Sequence, residues 1–369
     1  MSTSSFSLPD FPWDLLAPYG AKAKSHPGGA IDLSQGTPVD PTPDFIQNAL
    51  KEAANSPGYP VTTGSTELRD ALKKYCVDVL GASGEFDVLP TIGSKEIVAW
   101  LPFLLRSTRV VIPKIAYPTY RVGGLLAGAE VVDVDVDARR WREALGVAAG
   151  DRLERTLIWV NTPSNPTGRV HSKEEIEAVL DFRSGSDAIV AVDECYFSFG
   201  DSKKPISTLA LAAGQNRNLL VAHSLSKRSN LAGYRGAFLA GDKDLIARLL
   251  EVRKHAGMMA PAPIQHATAV ALGDEEHVKV QAERYRVRRR KLVPALLAKG
   301  FATEFSEAGL YIWCSNGSED WAQVEWFAER GIIVTPGNFY GQGGARHIRI
   351  ALTATDEGID EAIARISRD

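Results

Sequence analysis

Ser224-Leu225-Ser226-Lys227, continued by Arg228-Ser229-Asn230-Leu231-Ala232-Gly233-Tyr234-Arg235-Gly236, closes an apolar run from Leu219 to Ala222. A lysine after such a run is ordinary, but Ser-x-Ser-Lys with an arginine eight positions further on has the spacing of a cofactor site. The lysine amine can condense with an aldehyde. Ser224 and Arg235 add a hydroxyl and a fixed guanidinium that can hold a phosphate on the same small molecule. Pyridoxal phosphate carries both groups.

Working outward, Ile189-Val190-Ala191-Val192-Asp193 is an apolar strand ending in an acid, with Tyr196 three residues later. An acid beside the pyridine nitrogen keeps that ring protonated and electron-withdrawing, which is the part Asp193 can play. Leu157 to Val160 runs into Asn161-Thr162-Pro163-Ser164-Asn165-Pro166-Thr167-Gly168, a turn from which the Asn165 amide can reach the cofactor ring. Further short β-rich runs, Val110 to Ile112, Glu130 to Val136, Ala188 to Val192 and Gly236 to Ala240, are interleaved with helical segments such as Ser172 to Phe182. This alternation predicts an α/β fold whose central sheet is mostly parallel and covered on both faces. Functional groups then gather at the carboxyl ends of the strands, where Asn165, Asp193 and Lys227 all fall.

After Pro261-Ala262-Pro263 the character changes. A long helix from about Glu275 to Lys299 is followed by Leu310 to Cys314, Trp321 to Glu329, Ile332 to Val334, His347 to Leu352 and Asp356 to Ile366, the pattern of a smaller α+β domain.

In this order, the strings Asn165-Pro166-Thr167-Gly168, Asp193-x-x-Tyr196, Ser224-x-Ser226-Lys227 and Gly233-Tyr234-Arg235-Gly236 resemble the motif set of the class I/II aminotransferases, the fold-type I pyridoxal phosphate enzymes. The resemblance extends from Leu33-Ser34-Gln35-Gly36-Thr37-Pro38 to His347-Ile348-Arg349-Ile350-Ala351-Leu352. Within that family, Phe11-Pro12-Trp13-Asp14 and the compact length look most like the actinobacterial N-succinyldiaminopimelate aminotransferases. The resemblance implies residues 1–40 packing with the small domain, a large cofactor-binding domain over 41–262, connecting helices over 263–299 and a small domain over 300–369.

It also implies roles for single residues. Gly93-Ser94-Lys95 precedes a helical run, and the family's equivalents of Ser94 and Lys95 bind phosphate through backbone N–H groups, where a helix N-terminus favours an anion. By itself the string is an ordinary helix start. Tyr59, otherwise a surface aromatic in a Pro-rich loop, becomes a phosphate ligand donated to the other subunit of a homodimer. Tyr117 resembles the aromatic that stacks on the pyridine, and Gly36 the substrate-side backbone. Arg349 alternates with Ile348 and Ile350 and so faces away from them; an arginine there can grip an α-carboxylate through two parallel hydrogen bonds. An exposed strand arginine is the bland alternative, and Arg346 the runner-up for the role; Tyr340 could border the pocket. Lys227 would act as base, with Tyr196 and Asn165 bonding the cofactor's phenolic oxygen.

The 369 residues, 44% hydrophobic and 24% charged with net charge −3, suit an enzyme with a large core and argue against a polyanion as main partner. No apolar run approaches the ~20 residues of a membrane span, and no secretory signal is evident, so a cytoplasmic location is expected. The cysteines Cys76, Cys195 and Cys314 suggest neither disulfides nor a zinc site. The basic run Arg284-Tyr285-Arg286-Val287-Arg288-Arg289-Arg290-Lys291 reads as a solvated or subunit-facing helix in preference to a nucleic-acid patch. Two rivals stay open, a carbon–sulfur β-lyase on the same scaffold and a ligand-sensing regulator, since fold and cofactor leave reaction type undecided.

Overall fold

The computed structural model describes residues 8–135, 141–150 and 155–368. The strands in chain order are β1 (Ile31–Asp32), β2 (Asp87–Ile92), β3 (Arg109–Pro113), β4 (Glu130–Val134), β5 (Thr156–Asn161), β6 (Ile189–Asp193), β7 (Leu219–Ser224), β8 (Gly236–Gly241), β9 (Ala302–Thr303), β10 (Tyr311–Ser315), β11 (Ile332–Ile333), β12 (Thr335–Pro336) and β13 (Ile348–Ala351). Seven of them form the central sheet in the order β2-β8-β7-β6-β5-β3-β4. From β7 to β4 all neighbours are parallel, while β8 is antiparallel to both β7 and β2.

The strands at the centre of this sheet are apolar on both faces because both faces are covered. Ile158, Val160, Val190, Val192 and Val221 enter the core on one side, and Leu157, Trp159, Ala191 and Leu220 the core on the other. That is the two-residue period of a strand, without the polar half that a one-sided sheet would show. The helix expected from Ser172 runs Lys173–Ser184 and starts with a capping box, in which Ser172 and Glu175 satisfy each other's backbone N–H groups.

Two expectations need adjustment. Strand β2 was not anticipated: its Pro90 interrupts the pattern, and the chain accommodates it because β2 lies at the sheet's edge. The strand expected over Glu130 to Val136 is described to Val134, and Val136 lies outside the described residues.

In the last third, β12-β13-β10-β9 form an antiparallel sheet packed against the helices Glu276–Ala298 and Asp356–Ser367. The chain's beginning is tied into this region. β1 pairs in parallel with β11, Ile31 opposite Ile332, and beyond it the Ala351 amide donates to the Leu33 carbonyl at 2.8 Å.

The basic run is helical, but not all of it is solvated. Arg288 and Arg289 are buried, Arg288 bound to Asp40 and Asp356 at 2.7 Å each and Arg289 to Asp201 at 2.8 Å. Arg286 and Arg290 pair with Glu283, and Lys291 with Asp360. These cations are used within the chain, because carboxylates of the N-terminal segment and of the last helix meet this face. Among the described residues no helix is long and apolar enough to cross a membrane, no group of acid, histidine or cysteine side chains could hold a metal, and all three cysteines are free.

Candidate active site

A cavity of about 370 Å³ opens at the carboxyl ends of β5, β6 and β7 and is closed from the other side by β10 and β13. Asn165, Asp193, Tyr196, Ser224, Lys227, Arg235, Ser94, Lys95, Tyr117, Gly36 and Arg349 all line it. Tyr59 does not; its side chain is fully exposed to solvent. Tyr340 lies just behind the wall, its ring 5.0 Å from the Arg349 guanidinium. Arg346 takes no part in the lining.

One end of the cavity is built for an anion. Gly93 is the N-cap of the helix Ser94–Leu104 and supplies no side chain to cap it, leaving the first backbone N–H groups free to face a ligand. Gly93 is required there twice over. Its φ is +73°, and a Cβ would stand 2.1 Å from Arg235 Nη2. The Gly93 amide donates to the Arg235 carbonyl at 2.7 Å, which keeps the arginine beside the helix end. The Ser224 hydroxyl caps the short helix Leu225–Arg228 by accepting from the Ser226 amide at 3.1 Å, so its own hydrogen remains to be donated.

At the other end, Arg349 is buried and grips Asn165 Oδ1 at 2.9 Å and the Ser34 carbonyl at 2.5 Å, while its Nε has no hydrogen-bond partner. The bland reading of an exposed strand arginine therefore does not hold: Ile348 and Ile350 enter the core, and Arg349 turns to the cavity. Between the two ends, the Lys227 ammonium donates to the Gly36 carbonyl. Asp193 accepts from the Tyr120 hydroxyl at 2.8 Å and from the Cys195 amide at 3.0 Å. Asn161 holds the turn carrying Asn165, accepting from the Asn165 amide at 2.7 Å and donating to the Asp193 carbonyl at 2.9 Å.

This donor set fits pyridoxal phosphate, with cationic and N–H donors at one end, an acid in the floor and an amine between them. Residues 29–366 match the family model of aminotransferase class I and II. The chain belongs to that aminotransferase family. Pyridoxal phosphate is accordingly its cofactor.

The aminotransferase is 46% identical to a probable aminotransferase of Mycobacterium tuberculosis, over 98% of this chain and 86% of that one. It is 44% identical, over 98% of this chain and 99% of the relative, to the 4-dedimethylamino-4-oxo-anhydrotetracycline transaminase OxyQ of Streptomyces rimosus. Among solved structures, a probable N-succinyldiaminopimelate aminotransferase from Thermus thermophilus superposes with a TM-score of 0.85 at 26% identity, covering 97% of this chain and 99% of that one.

Burial shapes the reactivity of the aminotransferase's site. Desolvation, then the positive charges of Arg349 and Arg235, lowers the Lys227 ammonium to about 8. A far larger share of the amine than in an ordinary lysine is thus neutral, and nucleophilic, near physiological pH, although the protonated form still predominates below about 8. Burial pushes the Tyr117 hydroxyl up to about 12 and holds Tyr196 and Cys195 well above their ordinary ranges, so all three stay protonated.

Several lining residues had no part assigned from the sequence, Ser226, Phe11, Trp13 and Tyr311 among them. Ser226 lies inside the quoted motif, and Phe11 and Trp13 inside the N-terminal string used for the family likeness. Tyr311 comes from β10, where it reads as one more apolar core position. Behind the wall, Tyr120 was likewise passed over in the string that contains Tyr117; burial beside the acid-ended strand was its only available signal.

Proposed function

We propose that this aminotransferase interconverts N-succinyl-2-amino-6-oxopimelate and N-succinyldiaminopimelate, with glutamate as amino donor and 2-oxoglutarate as its product. The observation that carries the amino-acid part is Arg349, buried in the cavity wall with an unpartnered Nε while its other nitrogens are held by Asn165 and Ser34. The substrate assignment is supported by the N-terminal string, whose Phe11 and Trp13 line the cavity, and by the likeness to the Thermus enzyme named for that substrate.

The residues take these parts. Ser94 and Lys95 through their amides, with Ser224 and Arg235, hold the phosphate. Tyr117 covers the ring, and Asn165 and Tyr196 donate to its phenolic oxygen. When bound, the cofactor supplies an aldehyde that exchanges amines and a ring that withdraws electrons. Asp193 keeps a proton on the ring nitrogen. Arg349 fixes the substrate α-carboxylate, which places Cα near Lys227; Lys227 Nζ would then take the proton from Cα and deliver it to the carbon that carried the cofactor's aldehyde. The Gly36 backbone borders the substrate. Each half-reaction releases one product before the next substrate enters, giving ping-pong kinetics.

We also infer a division into residues 1–40 with 300–369 as a small domain, 41–262 as the large domain and 263–299 as the link, which the β1–β11 pairing supports. A homodimer completed by Tyr59 fits the full exposure of that side chain. Sedimentation of a fully active monomer would refute it.

A second reading has its own support. The 44% identical relative is named for a carbocyclic ketone, so a bulky cyclic acceptor is the alternative. The deciding experiment compares kcat/KM for the succinylated oxo acid with those for oxaloacetate, 2-oxoglutarate, aromatic oxo acids and a cyclic ketone. Preference for any of these over the succinylated acid discards the diaminopimelate assignment and leaves transamination standing; release of pyruvate and ammonia from cystathionine would favour the β-lyase.

A further inference from the structure

The Tyr311 side chain, which has no assigned part, meets Tyr196, Arg349 and Gly36. Its hydroxyl lies 3.1 Å from the Tyr196 hydroxyl. Its ring centre is 4.1 Å from Arg349 Cζ, face to cation. On the third side, Gly36 leaves it room, since a Cβ there would stand 2.0 Å from the Tyr311 oxygen. Gly36 in turn offers its carbonyl to Lys227. Tyr311 is 3% exposed and lines the cavity.

We propose that Tyr311 is a positioning residue that sets the direction of the Tyr196 proton and the plane of the Arg349 guanidinium. This rests on the parts given to Tyr196 and Arg349 above. Of two hydroxyls 3.1 Å apart, one donates and the other accepts. If Tyr196 donated to Tyr311, its oxygen would face the cofactor's phenolic oxygen without a hydrogen, and the two lone-pair-bearing atoms would repel. If Tyr311 donates, the Tyr196 proton is left to point at that oxygen and favour its anionic form. Arg349 needs the ring for a different reason. Its Nη1 and Nη2 are anchored to Asn165 and Ser34, and the Tyr311 face beneath keeps the plane from tilting, so the Nε edge stays presented to a carboxylate.

Two substitutions separate these parts. Tyr311→Phe keeps the ring and loses the hydroxyl, so Tyr196 no longer accepts the bond that polarises its own O–H and becomes a weaker donor; the pH at which the bound cofactor changes colour should rise by about half a unit, with KM for glutamate nearly unchanged. Tyr311→Leu removes the ring as well and should in addition raise KM for glutamate by about tenfold. Circular dichroism establishes that each variant is folded, and if the leucine variant is not, the phenylalanine variant still decides the hydroxyl's part. Tyr196→Phe is the control. A colour change displaced by Tyr196→Phe but not by Tyr311→Phe overturns the Tyr311 proposal alone, whereas no displacement in either removes the Tyr196 assignment and the proposal with it. A Tyr311→Leu enzyme that folds and keeps its KM overturns the Arg349 half.

Discussion

Arg349 Nη1 donates to Asn165 Oδ1 across 2.9 Å, joining a strand of the small sheet to the turn that follows β5 of the central sheet. The residue proposed to meet the substrate carboxylate and the residue proposed to sit beside the cofactor ring therefore share one hydrogen bond. Arg349→Lys keeps a charge but loses the planar fork, and Asn165 loses its partner. KM should rise for amino donor and acceptor alike, by about tenfold to a hundredfold. Steady-state kinetics with both substrates checks this; a rise for only one of them would place the carboxylate elsewhere.

Lys227 should be the single point of covalent attachment. Borohydride treatment of the holoenzyme should fix the cofactor to the peptide containing it, and mapping to any other lysine would end the assignment.

The depressed Lys227 value has a sign that can be tested on the apoenzyme. Below a pKa of about 8 the amine is protonated and cannot attack the aldehyde; above it the amine is free. The rate of cofactor capture should rise with pH through about 8 and level off beyond, well short of the 10.5 of an ordinary lysine. Stopped-flow absorbance across that range reads it, and a rate still climbing at pH 10 would contradict the burial argument.

Asp193→Ala should lower turnover by about a hundredfold or more, because the ring nitrogen then has no acid to keep it protonated. A thermal melt run alongside separates this from loss of fold, since Asp193 also anchors Tyr120 and the Cys195 amide. A folded variant with near-normal turnover would remove the role.

Gly93→Ala forces a methyl group onto Arg235 Nη2 at a left-handed backbone position. The apoprotein should lose about 1–3 kcal/mol of stability. Cofactor affinity should fall as well, because the arginine must move; equilibrium dialysis measures it, and unchanged binding would place the phosphate away from Arg235.

The parts of the site that were legible in the sequence are those whose chemistry is local. Asp193 ends β6, Lys227 and Asn165 sit just beyond β7 and β5, and Arg349 interrupts the apolar run of β13, so each stands out from its own neighbours. Tyr311 does not. It lies in Leu310-Tyr311-Ile312-Trp313-Cys314, where every residue is buried, and its hydroxyl meets Tyr196, 115 positions away. Tyr120 is hidden in the same way by its stacking on Trp159. The burial of Arg288 and Arg289 was illegible for a related reason, since their carboxylate partners come from distant segments. Strand β2 was masked by Pro90, tolerable only at an edge that the pattern of residues does not announce.

The pairing of β1 with β11 sets a timetable for synthesis. Strands β2 to β8, residues 87–241, can leave the ribosome and find one another while the last third is still unmade. Ile31 and the loop bearing Gly36 cannot, because their neighbours are encoded about three hundred residues later. A nascent chain thus holds Lys227 and Asp193 in place before it owns Arg349 and the backbone that complete the cavity around them, and the N-terminal segment waits in the open. Ribosome-arrested chains ending before residue 332 should be cut by protease within their first 40 residues, and full-length chains should resist there.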